Sequence, residues 1–331
     1  MREIDERFRS LNEVQSSDKQ PDKAVLQQIL STPRAGDVQR RHSPFRSRRW
    51  VLLSAAAATA VALGLVATNM FGTAPQPAYA VTPTPLKYQS SSRPTAEVLE
   101  GVARRTEELP DDPPASTPER FVQESWSLST RIDGIQVTSA VVPERRETLK
   151  YKDGSEKWTV RTQRPRFQSQ DQRRIWENSG SVGKDSDEYS GSSGPADMSD
   201  GRNREAPETP EGMRRWLSLG YETSGGGEMF DSVSERSLDR SFTPKQRAAL
   251  LRTLKEVEGI VYRGQAKDRS GRTGEAFSVQ SMYGGLPTKH TLLFDSSTGQ
   301  LLSYEEELTG SPGALKVKTP AVVLYVTYLD R

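Results

Sequence analysis

The sequence predicts an α+β fold: one transmembrane helix, then a bent antiparallel β-sheet domain carrying two or three helices. Three observations predict it. An uncharged run from Trp50 to Phe71 follows a cluster of arginines. Stretches of alternating apolar and polar residues, parted by Gly-bearing turns, recur from about residue 120 and again from about residue 260. Two segments of helical spacing, after residue 95 and after residue 243, stand before those strand groups. Short strands joined by tight turns pair antiparallel, and a few helices then cover one face.

The chain has 331 residues, 33% hydrophobic and 27% charged, with a formal net charge of +2. Residues 1–49 hold 11 Lys+Arg against 7 Asp+Glu, and the Trp50–Phe71 run holds none. Of the 46 basic and 44 acidic residues, 35 and 37 therefore fall in residues 72–331, a net of −2. Such interspersed charge gives no clustered basic face, so nucleic acid is not an expected partner. There is no cysteine. Disulfides, thiolate zinc sites and catalytic thiols are excluded, and the domain must stand on its core.

The anchor comes first. A helix from Trp50 to Phe71 would be about 33 Å long, enough for a hydrocarbon layer of about 30 Å. Arg40, Arg41, Arg46, Arg48 and Arg49 lie upstream, and the first basic residue downstream is Lys87. That asymmetry predicts a cell-membrane protein with residues 1–49 in the cytoplasm and the C-terminal domain outside, and the lipid bilayer as a partner. Ala78-Tyr79-Ala80 also has the small-x-small form of a cleavage site. The apolar run is long for a signal and the site lies nine residues past Phe71, so a retained anchor is expected.

Within residues 1–49, Ala24-Val25-Leu26 and Ile29-Leu30 give one short amphipathic helix that could dock a cytosolic partner. Residues 72–93, rich in Pro, Ser and Thr, read as a stalk. Residues 94–331 read as the extracytoplasmic domain. It opens with a helix at Thr95–Leu109, striped by Val98, Leu99 and Val102. Strands are expected at Arg120–Ile132 and Ile135–Val142, and a hairpin at Glu147–Val160 around a type I′ turn at Asp153-Gly154. A further strand is expected in residues 161–175. Residues 178–240 carry few apolar residues and are expected to be a disordered insertion, with a short helix at Pro210–Leu219 at most. Thr243-Pro244-Lys245-Gln246 has capping-box form and opens a helix that stops at Gly259. Strands then follow at Ile260–Ala266, Glu275–Met282, His290–Asp295, Gln300–Leu308 and Val322–Leu329.

No chemical motif completes itself. His290 stands in a strand without a cysteine or a second downstream histidine, so an imidazole metal site is not expected. Gly180-Ser181-Val182-Gly183-Lys184 lacks the first glycine of a phosphate loop, and Asp185 replaces its Ser/Thr. Asp185-Ser186-Asp187-Glu188-Tyr189 lacks the distal ligands of a calcium loop. Glu305-Glu306-Glu307 lies on a strand, so Glu306 faces away from its neighbours; a guard on an edge strand is the expected role. Trp126, Tyr151, Trp158, Phe277, Phe294, Tyr304, Tyr325 and Tyr328 are assigned mostly to the core. A bent sheet closed by helices can also leave a cavity for an apolar ligand. No catalytic residue, cofactor or metal is assigned, and no enzymatic activity is expected.

The order of parts resembles an uncharacterised family of actinobacterial single-pass membrane proteins. The residues that carry the likeness are Arg48-Arg49 before an Ala-rich span, Ala78-Tyr79-Ala80-Val81-Thr82-Pro83-Thr84-Pro85-Leu86 after it, Arg247-Ala248-Ala249-Leu250-Leu251, Val257-Glu258-Gly259-Ile260, Gly271-Arg272, Asp295 to Leu302 (DSSTGQLL), and Tyr325-Val326-Thr327-Tyr328. Genes of that family often neighbour extracytoplasmic-function sigma factors. The resemblance implies a membrane-anchored sensory or interaction module at the cell envelope, accessory to a sigma-factor system, with a cytosolic or envelope protein partner. The strand–turn pattern is also loosely similar to the half-barrel lipoprotein-carrier fold, which implies the alternative of an exported lipid- or lipoprotein-binding domain.

Overall fold

A computed structural model of the chain describes residues 82–111, 117–133, 136–165, 167, 170–178, 187–197, 200–219, 225–315 and 317–330. All of them lie in one compact unit, Val51–Arg331. The expected tail helix, the Trp50–Phe71 span and the Ala80 cleavage site lie outside the described residues, as do the Gly180–Lys184 and Asp185-Ser186 fragments. Among the described residues no helix is long and apolar enough to cross a membrane.

Ten antiparallel strands make one sheet. In chain order they are β1 (Tyr88–Gln89), β2 (Glu119–Asp133), β3 (Gln136–Lys150), β4 (Glu156–Thr162), β5 (Glu188–Ser193), β6 (Val261–Lys267), β7 (Thr273–Ser281), β8 (Thr288–Phe294), β9 (Leu301–Leu308) and β10 (Ala321–Asp330). Their order across the sheet is β1-β6-β7-β8-β9-β10-β2-β3-β4-β5. Two meanders, β2 to β5 and β6 to β10, are therefore sewn together where the last strand pairs with the first long one, Tyr325 opposite Trp126. The large antiparallel sheet with few helices is the α+β architecture the alternating pattern predicts.

Five α-helices are described rather than two or three: α1 (Thr95–Glu107), α2 (Gln170–Asn178), α3 (Pro210–Leu217), α4 (Gly226–Arg236) and α5 (Pro244–Leu254). Helix α1 carries Glu97 in its first turn and Arg104 and Arg105 in its last, each matched to the helix dipole. Its stripe, Val98, Leu99, Val102 and Ala103, is buried. Helix α5 starts at the capping box as expected. Thr243 Oγ1 accepts the Gln246 N–H at 3.3 Å, and Gln246 Oε1 accepts the Thr243 N–H at 2.9 Å. Leu250, Leu251 and Leu254 of α5 join the α1 stripe, Phe230 and Val233 of α4, and Phe277, Leu292, Tyr304 and Val326 of the sheet in the main core.

Four expectations are corrected. Residues 178–240 are not an insertion without structure: they hold β5, α3 and α4, and Met213, Trp216, Leu217, Met229, Phe230 and Val233 are buried. Apolar residues are sparse there but fall at i and i+4, which suffices when a tertiary partner covers the stripe. Residues 82–93 are not simply a stalk, since β1 pairs with β6, Tyr88 opposite Ala266. Among the described residues, 161–175 contribute the end of β4, an isolated bridge residue at Phe167 and the start of α2. The Asp153-Gly154 turn is wider than type I′. Tyr151 O accepts the Gly154 N–H at 2.9 Å, only Gly154 has positive φ (75°), and the strands close at Tyr151 N to Ser155 O. This is a type I turn followed by a left-handed glycine.

Both faces of the sheet are used. The inner face lies under α1, α3, α4 and α5. Two smaller clusters add to the main core, one built from Leu128, Val141, Leu308, Val317 and Ala321, and one on the outer face from Ala266, Ala276, Leu293 and Leu302 with Tyr88 packed against it.

Candidate functional site

Strand β9 is not an edge. It pairs with β8 on one side and β10 on the other, so the edge-guard role expected of Glu305-Glu306-Glu307 is overturned. The alternation is kept: Glu305 and Glu307 face outward and Glu306 inward. The two faces then treat their carboxylates differently.

On the outer face Glu305 is 1% exposed. Its Oε2 accepts from Arg269 Nη2 at 2.5 Å, and its Oε1 accepts the Leu86 backbone N–H at 3.2 Å. Arg269 also donates to Thr84 O at 2.9 Å and lies 4.5 Å over the Tyr325 ring. Glu307 pairs with Lys289 at 2.6 Å. Burial pushes the Glu305 carboxyl up, and the Arg269 charge and the Leu86 N–H pull it back down. Thr84 and Leu86, close to the first described residue, are thereby stapled to the sheet.

On the inner face register brings His290 opposite Glu306, with Tyr304 two residues before Glu306 on the same side. His290 Nδ1 lies 2.7 Å from Tyr304 Oη, and Tyr304 donates to Glu306 Oε1 at 2.9 Å. Tyr304 has one proton. Spending it on Glu306 leaves its oxygen to accept from Nδ1–H, which fixes Nε2 as the bare nitrogen. That Nε2 is buried and has no hydrogen-bond partner. It lies against α4 at Gly227: a Cβ there would stand 2.9 Å from Nε2 and 2.6 Å from Ser281 Oγ. Only glycine lets the helix come this close.

Helix α4 supplies acids to the same place. Glu228, Asp231 and Glu235 lie at i, i+3 and i+7, one helix face. Asp231 accepts from Tyr283, whose ring is 6.4 Å from that of His290. Desolvation first, then the charges of Glu235, Glu306 and Glu228, push the Asp231 carboxyl up to about 8. Burial also raises Glu306, and it lowers His290 to about 4. Tyr283 is pushed up to about 12, by burial and then by Asp231 and the three glutamates. His290 and Tyr304 are buried, and Asp231, Tyr283 and Glu306 are partly buried, the last 21% exposed.

Burial favours the protonated forms of Asp231 and Glu306. The arrangement does not assemble a hydrolytic triad, because Ser281 Oγ accepts the Tyr283 N–H at 2.9 Å and makes no bond to His290. Among the described residues no group of three or more His, Asp or Glu could hold a metal ion. Two hollows lie among the described residues. One lies by Arg105, Glu275 and Ser297, the other by Leu149, Trp158 and Arg161. Neither is an apolar chamber between the helices and the sheet.

Of the residues singled out in the sequence, His290, Tyr304 and Glu306 are brought together, whereas Trp126 and Tyr325 pair across strands on the outer face. Asp231 and Tyr283 were missed. The signal for Asp231 was the Met229–Val233 spacing of a buried helix; Tyr283 sits in a turn and carried none. Comparison with protein-family models, curated proteins and solved structures finds no match.

Proposed function

We propose that this chain is a membrane-anchored extracytoplasmic sensory or interaction module, accessory to a sigma-factor system, with its receiving element at the crevice of His290, Tyr304, Glu306 and Asp231. The observation that carries the reading is the placement of Glu305 and Glu306 back to back on one strand. Glu305 holds Leu86 and, through Arg269, Thr84, the part of the chain next to the expected anchor. Glu306 closes the His290–Tyr304 relay on the opposite face. A shift of β9 caused by occupation of the inner crevice would move the outer staple, and the tether leads from there towards the membrane.

The test is the envelope-stress transcript profile of cells carrying the full chain, a deletion of residues 1–31, or Glu306→Gln. The reading expects the deletion to abolish the response and Glu306→Gln to change its threshold. Transcripts unchanged in both strains would refute it.

A further inference from the structure

Residues 84–89 lie on the sheet as a bound peptide lies on a receptor. Thr84 O accepts from Arg269 Nη2 at 2.9 Å, the Leu86 N–H donates to Glu305 Oε1 at 3.2 Å, and Tyr88 Oη lies 3.4 Å from Thr291 Oγ1. Lys289 Nζ stands 5.4 Å over the Tyr88 ring. Tyr88 and Gln89 then extend the sheet as β1, opposite Ala266 and Gln265 of β6. This is strand addition to a sheet edge, with main-chain bonds for hold and side-chain seats for selection.

The receiving surface is shaped for that occupant. Gly264 of β6 has φ 98°, and a Cβ there would stand 1.6 Å from Gln89 O. Only glycine lets β1 lie here. Beneath the segment the outer face holds charge: Glu305, Glu307 and Lys289 are 1%, 8% and 14% exposed. Buried polar groups need hydrogen-bonding partners, and an extended backbone supplies both N–H and C=O.

The cover itself is lightly held. No residue from Thr82 to Arg93 is buried, and Gln89 to Pro94 are all exposed. Helix α1 begins at Thr95, with Val98 and Leu99 in the main core. A segment with few buried apolar contacts opens at the low end of the stability scale, while α1 stays in place. An open groove leaves Glu305 without the Leu86 donor and β6 as a bare sheet edge, so it favours being refilled. A second copy of the chain carries the one segment known to meet all of these groups. Exchange keeps every contact and changes only which copy supplies it, which is why swapping an identical element is a low-cost route to a dimer.

We propose that Thr84–Gln89 is an exchangeable strap: it lifts about the exposed Ser90–Arg93 hinge, and the outer groove of one copy takes the strap of another. Two copies are then joined through β1–β6 pairs in trans, with Glu305 and Arg269 of each holding Leu86 and Thr84 of the other. The inference goes beyond the sensory reading and stands without it, because strap exchange is measured without any transcript.

The experiment uses the absence of cysteine from the chain. One population of the full chain carries Gln89→Cys, a second carries Gln265→Cys, and the two are reconstituted together in phosphatidylcholine vesicles under mild oxidation. Both positions are exposed, and they face each other in the β1–β6 register. The expected result is a disulfide-linked dimer of one copy from each population. It should form about tenfold faster than when the acceptor copy instead carries Met282→Cys, an exposed site just past the far end of β7. An excess of a peptide of residues 82–90 should suppress the link, and so should Gly264→Ala in the acceptor copy. The double variant Gln89→Cys/Gln265→Cys, diluted to one copy per vesicle, should link within that copy, which certifies both the fold and the geometry of the pair. A mixed link no faster than the Met282→Cys control, or one that the peptide leaves unchanged, would overturn the proposal, as would a double variant that fails to link. Hydrogen exchange gives an independent check. The Leu86 and Tyr88 amides should exchange by local opening, faster than those of Leu292 and Leu293 on β8; exchange of the strap amides only with global unfolding would also overturn it.

Discussion

Glu305 and Glu306 are neighbours in the chain and opposites in environment. The outer carboxylate is buried with a guanidinium against it and a backbone N–H on its other oxygen. The inner one is bonded to a tyrosine, backed by a neutral histidine and crowded by Asp231. One position holds structure together, because its charge is satisfied. The other has no guanidinium or ammonium against it, and burial favours its protonated form. Charge pairing, more than burial, separates the two carboxylates.

The largest expected effect tests the outer half. Arg269→Ala leaves Glu305 buried with no guanidinium and also releases Thr84. Removing one partner of a buried pair costs about 3 kcal/mol, measured as a shift in urea unfolding of the full chain. Adding Glu305→Gln to that variant should recover part of the loss; no recovery would mean that packing of Arg269 on Tyr325, and not the pair, carries the stability.

The inner half should show itself in the pH dependence. Asp231 has a folded pKa raised from its ordinary value to about 8, so its stabilising contribution is full below the ordinary value and is lost as pH rises through about 8. His290, lowered to about 4, works the other way: stability is lost as pH falls from 6.5 towards 4. The two slopes offset each other between about pH 4 and 6.5. Above that range Asp231 acts alone among the two, and stability should fall towards pH 8 by at most about 1.4 kcal/mol per unit. The groups facing it are Glu228 and Glu235 on α4, Tyr283 at the β7–β8 turn, His290 on β8, and Tyr304 and Glu306 on β9. Thermal unfolding across this range checks it; an unchanged slope in Asp231→Asn would remove Asp231 as the cause.

A smaller effect is expected of Tyr304→Phe, which strips the hydroxyl from both His290 and Glu306. Leaving a buried Nδ1–H unsatisfied costs about 1–2 kcal/mol. The imidazole resonances of His290 should lose their single tautomer, a signature that mere cavity formation would not produce. The smallest effect serves as the reference. Thr243→Ala removes the α5 capping box, far from either carboxylate in role, and should cost about 1 kcal/mol with no change in pH slope.

Much of the architecture was legible in the sequence. The five C-terminal strands lie within a residue or two of the alternating runs, and the Thr243–Gln246 box opens its helix as read. These features are local: alternation, caps and turn glycines act over a few residues and need no partner to be recognised. Residues 178–240 were misread for the complementary reason. The Met213–Trp216–Leu217 and Met229–Phe230–Val233 stripes are too thin to hold isolated helices, and only the sheet and α5 beneath them make up the deficit. The site was half visible. Alternation puts Glu306 opposite in face to Glu305 and Glu307, and Tyr304 with Glu306.

The sequence by itself determined the periodicities: which residues of a strand share a face, where the α5 helix begins, and that no cysteine chemistry exists. Tertiary structure alone decided the register that sets His290 against Glu306, the approach of α4 at Gly227 that adds Asp231, and the return of Leu86 to Glu305. The physical reason is distance along the chain. Leu86 and Glu305 stand 219 residues apart, and contacts of that span are fixed by how whole elements pack rather than by any pattern a short window of residues can display.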